Sequence, residues 1–106
     1  MASVLINVPP KAKRGEVIVI KTLISHQMET GFRHTETGIP IPRDLITNFV
    51  ASYNGEEIFS AQLFPAIAAN PFITFYTVAS DSGTIEFKWT GDNGFTAIEQ
   101  AKIIVE

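Results

Sequence analysis

An all-β domain, folded as an antiparallel sandwich of about seven strands, is predicted by short alternating apolar segments and by turn signals at near-regular spacing. Thr84 to Thr90 alternates most cleanly, with Ile85, Phe87 and Trp89 directed inward and Glu86 and Lys88 outward. Asn54-Gly55, set between two apolar runs, is the strongest hairpin signal because both residues tolerate the positive φ of a type I′ turn. No segment carries a convincing helical period. With 106 residues, 45% of them hydrophobic and 18% charged, the chain makes one domain over residues 1–106 and buries a core without cross-links.

Ser3 to Val8 is a short strand closed by Pro9-Pro10, and Lys11 to Gly15 reads as a polar turn. Glu16 to His26 is the longest strand; Val17, Val19 and Leu23 alternate with Ile18, Ile20 and Ile24, so both faces are apolar and a central position is expected. Leu45 to Tyr53 and Glu56 to Phe64 form the hairpin around Asn54-Gly55. Regular pairing sets Tyr53 opposite Glu56, Ala51 opposite Ile58 and Phe49 opposite Ser60, with Val50 opposite Phe59 and Ile46 opposite Leu63 on the other face. The Val50 face is expected to meet the core, which leaves Phe49, Tyr53 and Ile58 as surplus apolar surface for a partner. Pro65 to Pro71 is expected to cross between sheets, Phe72 to Val78 is a strand apolar on both faces, and Phe95 to Val105 is the last strand. Two half-apolar sheets of this size bury one another as an immunoglobulin-like sandwich, here without the cysteine pair of antibody domains.

Charge and composition narrow the function. The net charge is −3 and only Lys11, Lys13 and Arg14 cluster, so the basic face that nucleic acid requires is missing. No apolar run approaches the roughly 18 residues of a membrane span, and the first ten residues lack the basic and apolar regions of a secretory signal, so the chain taken alone is expected in the cytoplasm. Cysteine is absent, so no thiolate can attack a substrate, carry sulfur or anchor a cluster.

The long polar stretch from Ile24 to Arg43 gathers both histidines, Met28 and several charges. Connections of that length in a compact domain usually bind something or order themselves as a loop. Metal binding through the 27–44 loop is one alternative, but His26 and His34 with Met28 and Glu29 fall short of an evident three- or four-ligand set, so no metal or cofactor is expected. An enzyme is not expected either. Ser25 and His26 are neighbours on a strand and point to opposite faces, and the carboxylates of Glu29 and Glu36 beside Arg33, His34 and Arg43 suit solvated ion pairs. The residues therefore favour recognition, with His26, Met28, Arg33, Phe49, Tyr53 and Ile58 as the candidate partner contacts and a free-standing, small-ligand-binding sandwich as the alternative.

Several collinear stretches carry a family resemblance: Leu23-Ile24-Ser25-His26-Gln27-Met28-Glu29-Thr30-Gly31-Phe32-Arg33, Ile41-Pro42-Arg43, Ile46 with Phe49, Asn54-Gly55, Pro65-Ala66-Ile67, Ala69-Asn70-Pro71-Phe72, and Gly83 with Phe87 and Trp89. They cover nearly the whole length, and the chain resembles the SoxZ family, the non-carrier subunit of the SoxYZ complex of bacterial thiosulfate oxidation. His34 and Gly91 depart from that pattern, which expects a basic and an acidic residue there. The resemblance implies a heterodimer with SoxY, whose carboxyl-terminal Gly-Gly-Cys-Gly-Gly arm bears the sulfur intermediates, and docking of the pair to other Sox enzymes. It also implies work in the periplasm, reached by co-export with a signal-bearing SoxY. Without SoxY, the surplus hairpin face predicts a homodimer.

Overall fold

The computed structural model describes residues 3–64, 67 and 69–106. They form eight strands: β1 (Val4–Asn7), β2 (Lys11–Ala12), β3 (Val17–Ile24), β4 (Ile46–Tyr53), β5 (Glu56–Gln62), β6 (Phe72–Val78), β7 (Gly83–Gly91) and β8 (Thr96–Val105). A three-stranded sheet in the order β1-β3-β6 faces a five-stranded sheet in the order β2-β8-β7-β4-β5. All pairings are antiparallel except β2 with β8. The expected immunoglobulin-like sandwich is therefore present, and β3 holds the central place in its sheet as its two apolar faces foretold.

One strand was not legible. Lys11 and Ala12, expected in a turn, pair in parallel with Ile104 and Val105, so the chain changes sheets at Val8-Pro9-Pro10. Prolines suit that crossing because they have no backbone N–H to leave unpaired. The link between β5 and β6 also joins the two sheets, although residues 65, 66 and 68 of the expected crossover lie outside the described residues.

The hairpin face predicted to meet the core is the wrong one. Asn54 and Gly55 turn with φ of 50° and 84° as expected, and Tyr53 pairs with Glu56 and Ser52 with Glu57. Beyond that point the register slips, and Ala51 pairs with Phe59, Val50 with Ser60 and Phe49 with Ala61. A bulge at Ile58 inserts the extra residue. Because side chains alternate with period two, the slip carries Phe59, Ala61 and Leu63 onto the same face as Phe49, Ala51 and Tyr53. That face is the core. A second irregularity, between Ile46 and Asn48, turns Ile46 inward beside Leu45.

The two sheets meet through aromatic rings. Phe49 on β4 lies 5.1 Å from Trp89 and 6.1 Å from both Phe59 and Phe75 between ring centroids. Phe75 on β6 stacks on Phe59 on β5 at 4.6 Å, which ties the three-stranded sheet to the five-stranded one. Ile85, Phe87 and Trp89 are fully buried, as their alternation predicts.

Candidate partner-binding site

The segment between β3 and β4 is an ordered arm. Glu29 and Asp44 exchange backbone hydrogen bonds at 2.8 and 2.9 Å, the Ile41 N–H donates to the Arg33 carbonyl at 2.9 Å, and Thr35 and Ile39 close the tip. Phe32 and Ile39 stand exposed along it. Its charges are largely used within the fold. Arg33 makes a two-point ion pair with Glu29, whose hydrogen bond holds the carboxyl below its usual range and raises the guanidinium. Arg43 reaches Asp92 in the turn between β7 and β8, at 2.8 Å through both Nε and Nη2.

His26 sits where the arm leaves the sandwich. Its Nδ1 accepts the Met28 N–H at 3.0 Å, which places the proton of the neutral ring on Nε2, 3.8 Å from Asp44 Oδ1. Asn70 brackets the same residue, its Oδ1 accepting the His26 N–H at 2.9 Å and its own N–H donating to the His26 carbonyl at 2.8 Å. Phe95 packs against the imidazole in a T-shaped arrangement, with ring centroids 4.9 Å apart. Met28, at a positive φ of 52°, is buried and its sulfur accepts the Ile46 N–H at 3.3 Å. These bonds make His26 and Met28 anchors of the arm.

A cleft of about 490 Å³ opens beside His26, lined also by Ser25, Gln27, Asp44, Asn70 and Phe95. Its chemistry is that of hydrogen bonding. Among the described residues no three His, Asp or Glu side chains converge as metal ligands would.

The six candidate contacts therefore separate. Arg33 is exposed on the arm, whereas His26 is half-buried and Met28 buried at its root. Phe49 and Tyr53 are core residues and Ile58 packs partly against that core, so the surplus hairpin face does not exist and the homodimer expected from it loses its basis. The exposed apolar surface lies elsewhere, on the outward side of β1-β3-β6, where Leu5, Val17, Phe72, Tyr76 and Val78 are all exposed. The two-sided apolar pattern of Phe72 to Val78 was the available signal, but a strand buried on both faces gives the same pattern.

A family model described as sulphur oxidation protein SoxZ matches residues 6–102. The chain belongs to the SoxZ family. Among proteins with curated descriptions, none matches this SoxZ-family chain by sequence. Among solved structures, it is similar to a superoxide reductase (neelaredoxin) from Ignicoccus hospitalis, with a TM-score of 0.77 and 16% identity over 98% of this chain and 80% of that one. It is similar to the sulfur carrier protein SoxY from Chlorobium limicola f thiosulfatophilum, with a TM-score of 0.68 and 11% identity over 97% and 78%. A putative superoxide reductase from Thermotoga maritima follows at 0.70 and 17% over 97% and 85%. At these identities the likeness is one of fold, and family membership places the SoxZ-family chain in the Sox system of sulfur oxidation.

Proposed function

We propose that this chain is the non-catalytic subunit of a SoxYZ sulfur-carrier complex. It binds and stabilises SoxY, whose cysteine holds the covalent sulfur intermediates, and helps present that cysteine to the Sox enzymes. The observation that carries this reading is the family match over residues 6–102 in a sequence without cysteine. A persulfide or thiosulfonate linkage needs a thiolate, and none of these residues can supply one. The paired charges of the arm support the same reading, because Glu29, Arg33, Arg43 and Asp92 neutralise one another and are held in hydrogen bonds away from acid–base work. In this reading the complex operates in the periplasm, which the chain reaches bound to a signal-bearing SoxY.

Co-expression with SoxY from the same organism tests the proposal. The two chains are expected to leave a sizing column together at micromolar concentration, and separate elution would refute it. The purified chain alone is expected neither to consume thiosulfate nor to form a covalent adduct with it.

A further inference from the structure

The sandwich has two outward faces of opposite character. On the five-stranded sheet the outward side chains are mostly polar, among them Glu57, Glu86, Lys88, Gln100 and Lys102, with the exposed Ile98 and Ile104 set singly between them and Gln100 donating to Glu86 at 3.1 Å. That is the polar exterior expected of an antiparallel sheet facing water. The three-stranded sheet breaks the rule. Its pairings place Val17 beside Val78, Val19 beside Tyr76, Lys21 beside Thr74, and Leu23 between Leu5 and Phe72. These rows form two apolar patches, Val17, Val19, Tyr76 and Val78 at one end and Leu5, Leu23 and Phe72 at the other, separated by the polar row of Asn7, Lys21 and Thr74. A shallow groove of about 330 Å³ runs past Leu5, Lys21, Leu23 and Phe72.

The size of this surface is informative. An aromatic side chain alone offers about 150–250 Å², so the exposed parts of Leu5, Val17, Phe72, Tyr76 and Val78 present on the order of 600 Å² together. That is at the upper limit of the patch a monomer usually leaves in water, and it approaches the roughly 800 Å² per partner of a stable interface.

Lys21 selects between occupants. It stands between the two patches and, among the described residues, forms no ion pair. A twofold dimer that packs this face on itself would bury two copies of Lys21 in one interface, and the paired rows of β1, β3 and β6 offer no carboxylate to either of them. A different chain with a carboxylate at that point removes the penalty and gains a charge-assisted contact.

The geometry points to the outward face of β1-β3-β6 as the surface that receives SoxY, through an apolar sheet face carrying a carboxylate opposite Lys21. This rests on the proposed SoxY pairing and says where on this chain it occurs. The SoxY fold suits it, since a chain similar to this one at a TM-score of 0.68 has sheet faces of its own to offer. Two such faces pack with their strands within about 30° of alignment.

The test compares four forms co-expressed with SoxY: the wild-type chain and the variants Tyr76→Glu, Lys21→Glu and Ile98→Glu. All three substitutions are at exposed positions, and Ile98 lies on the outward side of the other sheet, paired with Lys88. Circular dichroism and thermal melts of each form verify that it is folded. Wild type and Ile98→Glu are expected to co-elute with SoxY, while Tyr76→Glu and Lys21→Glu bind roughly tenfold weaker or worse, as truncated interface anchors do. Equal pairing by all four forms would overturn this face as the contact while leaving the SoxY pairing intact. A wild-type chain that does not pair at all would overturn both. An isolated chain that dimerises, becomes monomeric with Tyr76→Glu and is not dissociated by SoxY would show a second copy as the occupant, which also overturns the inference.

Discussion

Arg43 and Asp92, 49 residues apart in sequence, meet in a two-pronged ion pair with both contacts at 2.8 Å. The same carboxylate accepts the Leu45 N–H at 3.0 Å, and the Asp92 N–H returns to the Leu45 carbonyl at 2.8 Å. One aspartate thus fixes the end of the arm, the start of β4 and the turn between β7 and β8.

Acid should release this fastening. The Arg43 guanidinium, with help from the Leu45 N–H, holds the Asp92 carboxyl below its usual range. A depressed carboxyl contributes stability that is complete above its unfolded value of about 4 and disappears as the pH falls through the lower folded value. Asp92→Asn should therefore be less stable than wild type at pH 7, with the gap closing below about pH 4. Urea unfolding midpoints at pH 7, 4 and 3 measure it, and a gap independent of pH would contradict the assignment.

Phe49 lies at the centre of the aromatic cluster and is fully buried. Phe49→Ala should cost about 3–5 kcal/mol in a denaturant titration, the usual range for emptying an aromatic site in a core. A stability within about 1 kcal/mol of wild type would mean that the ring does not fill the space between the sheets.

Gly91 is held by its neighbour's backbone. A Cβ built there would stand 2.2 Å from the Leu45 carbonyl oxygen and 2.8 Å from the Ile46 Cα. Neither atom can swing aside as a side chain would, so Gly91→Ala should cost about 1–3 kcal/mol or more by forcing β4 away from β7. Thermal unfolding measures the loss. An unchanged midpoint would contradict so close an approach.

These positions also show what the sequence could and could not tell. Ile85, Phe87 and Trp89 alternate against charged neighbours, so their inward direction was legible, and Asn54-Gly55 gave the turn because few other pairs accept its backbone angles. The register of the hairpin was not legible. A bulge at Ile58 has no residue signature of its own, yet it reverses the face of every β5 side chain beyond it and converts Phe49 and Tyr53 from expected contacts into core. The root of the arm was hidden for another reason. His26, Asp44, Asn70 and Phe95 come from four separate segments, and only the folded chain brings them together.

His26 illustrates the difference between a structural and a reactive histidine. His26→Ala deprives the Met28 N–H of its acceptor and Phe95 of its ring contact, and should destabilise the fold by about 1–3 kcal/mol. Pairing of the still-folded variant with SoxY should stay within about threefold of wild type, because the proposed contact lies on the outward face of the three-stranded sheet. A variant as stable as wild type that no longer binds SoxY would return His26 to the interface.

Calorimetric titration of the purified chain with SoxY bears most directly on the central claim. The account predicts saturable one-to-one binding with a heat-capacity change that is clearly negative, the mark of apolar surface leaving water. An absence of binding at micromolar concentrations of both proteins would contradict it.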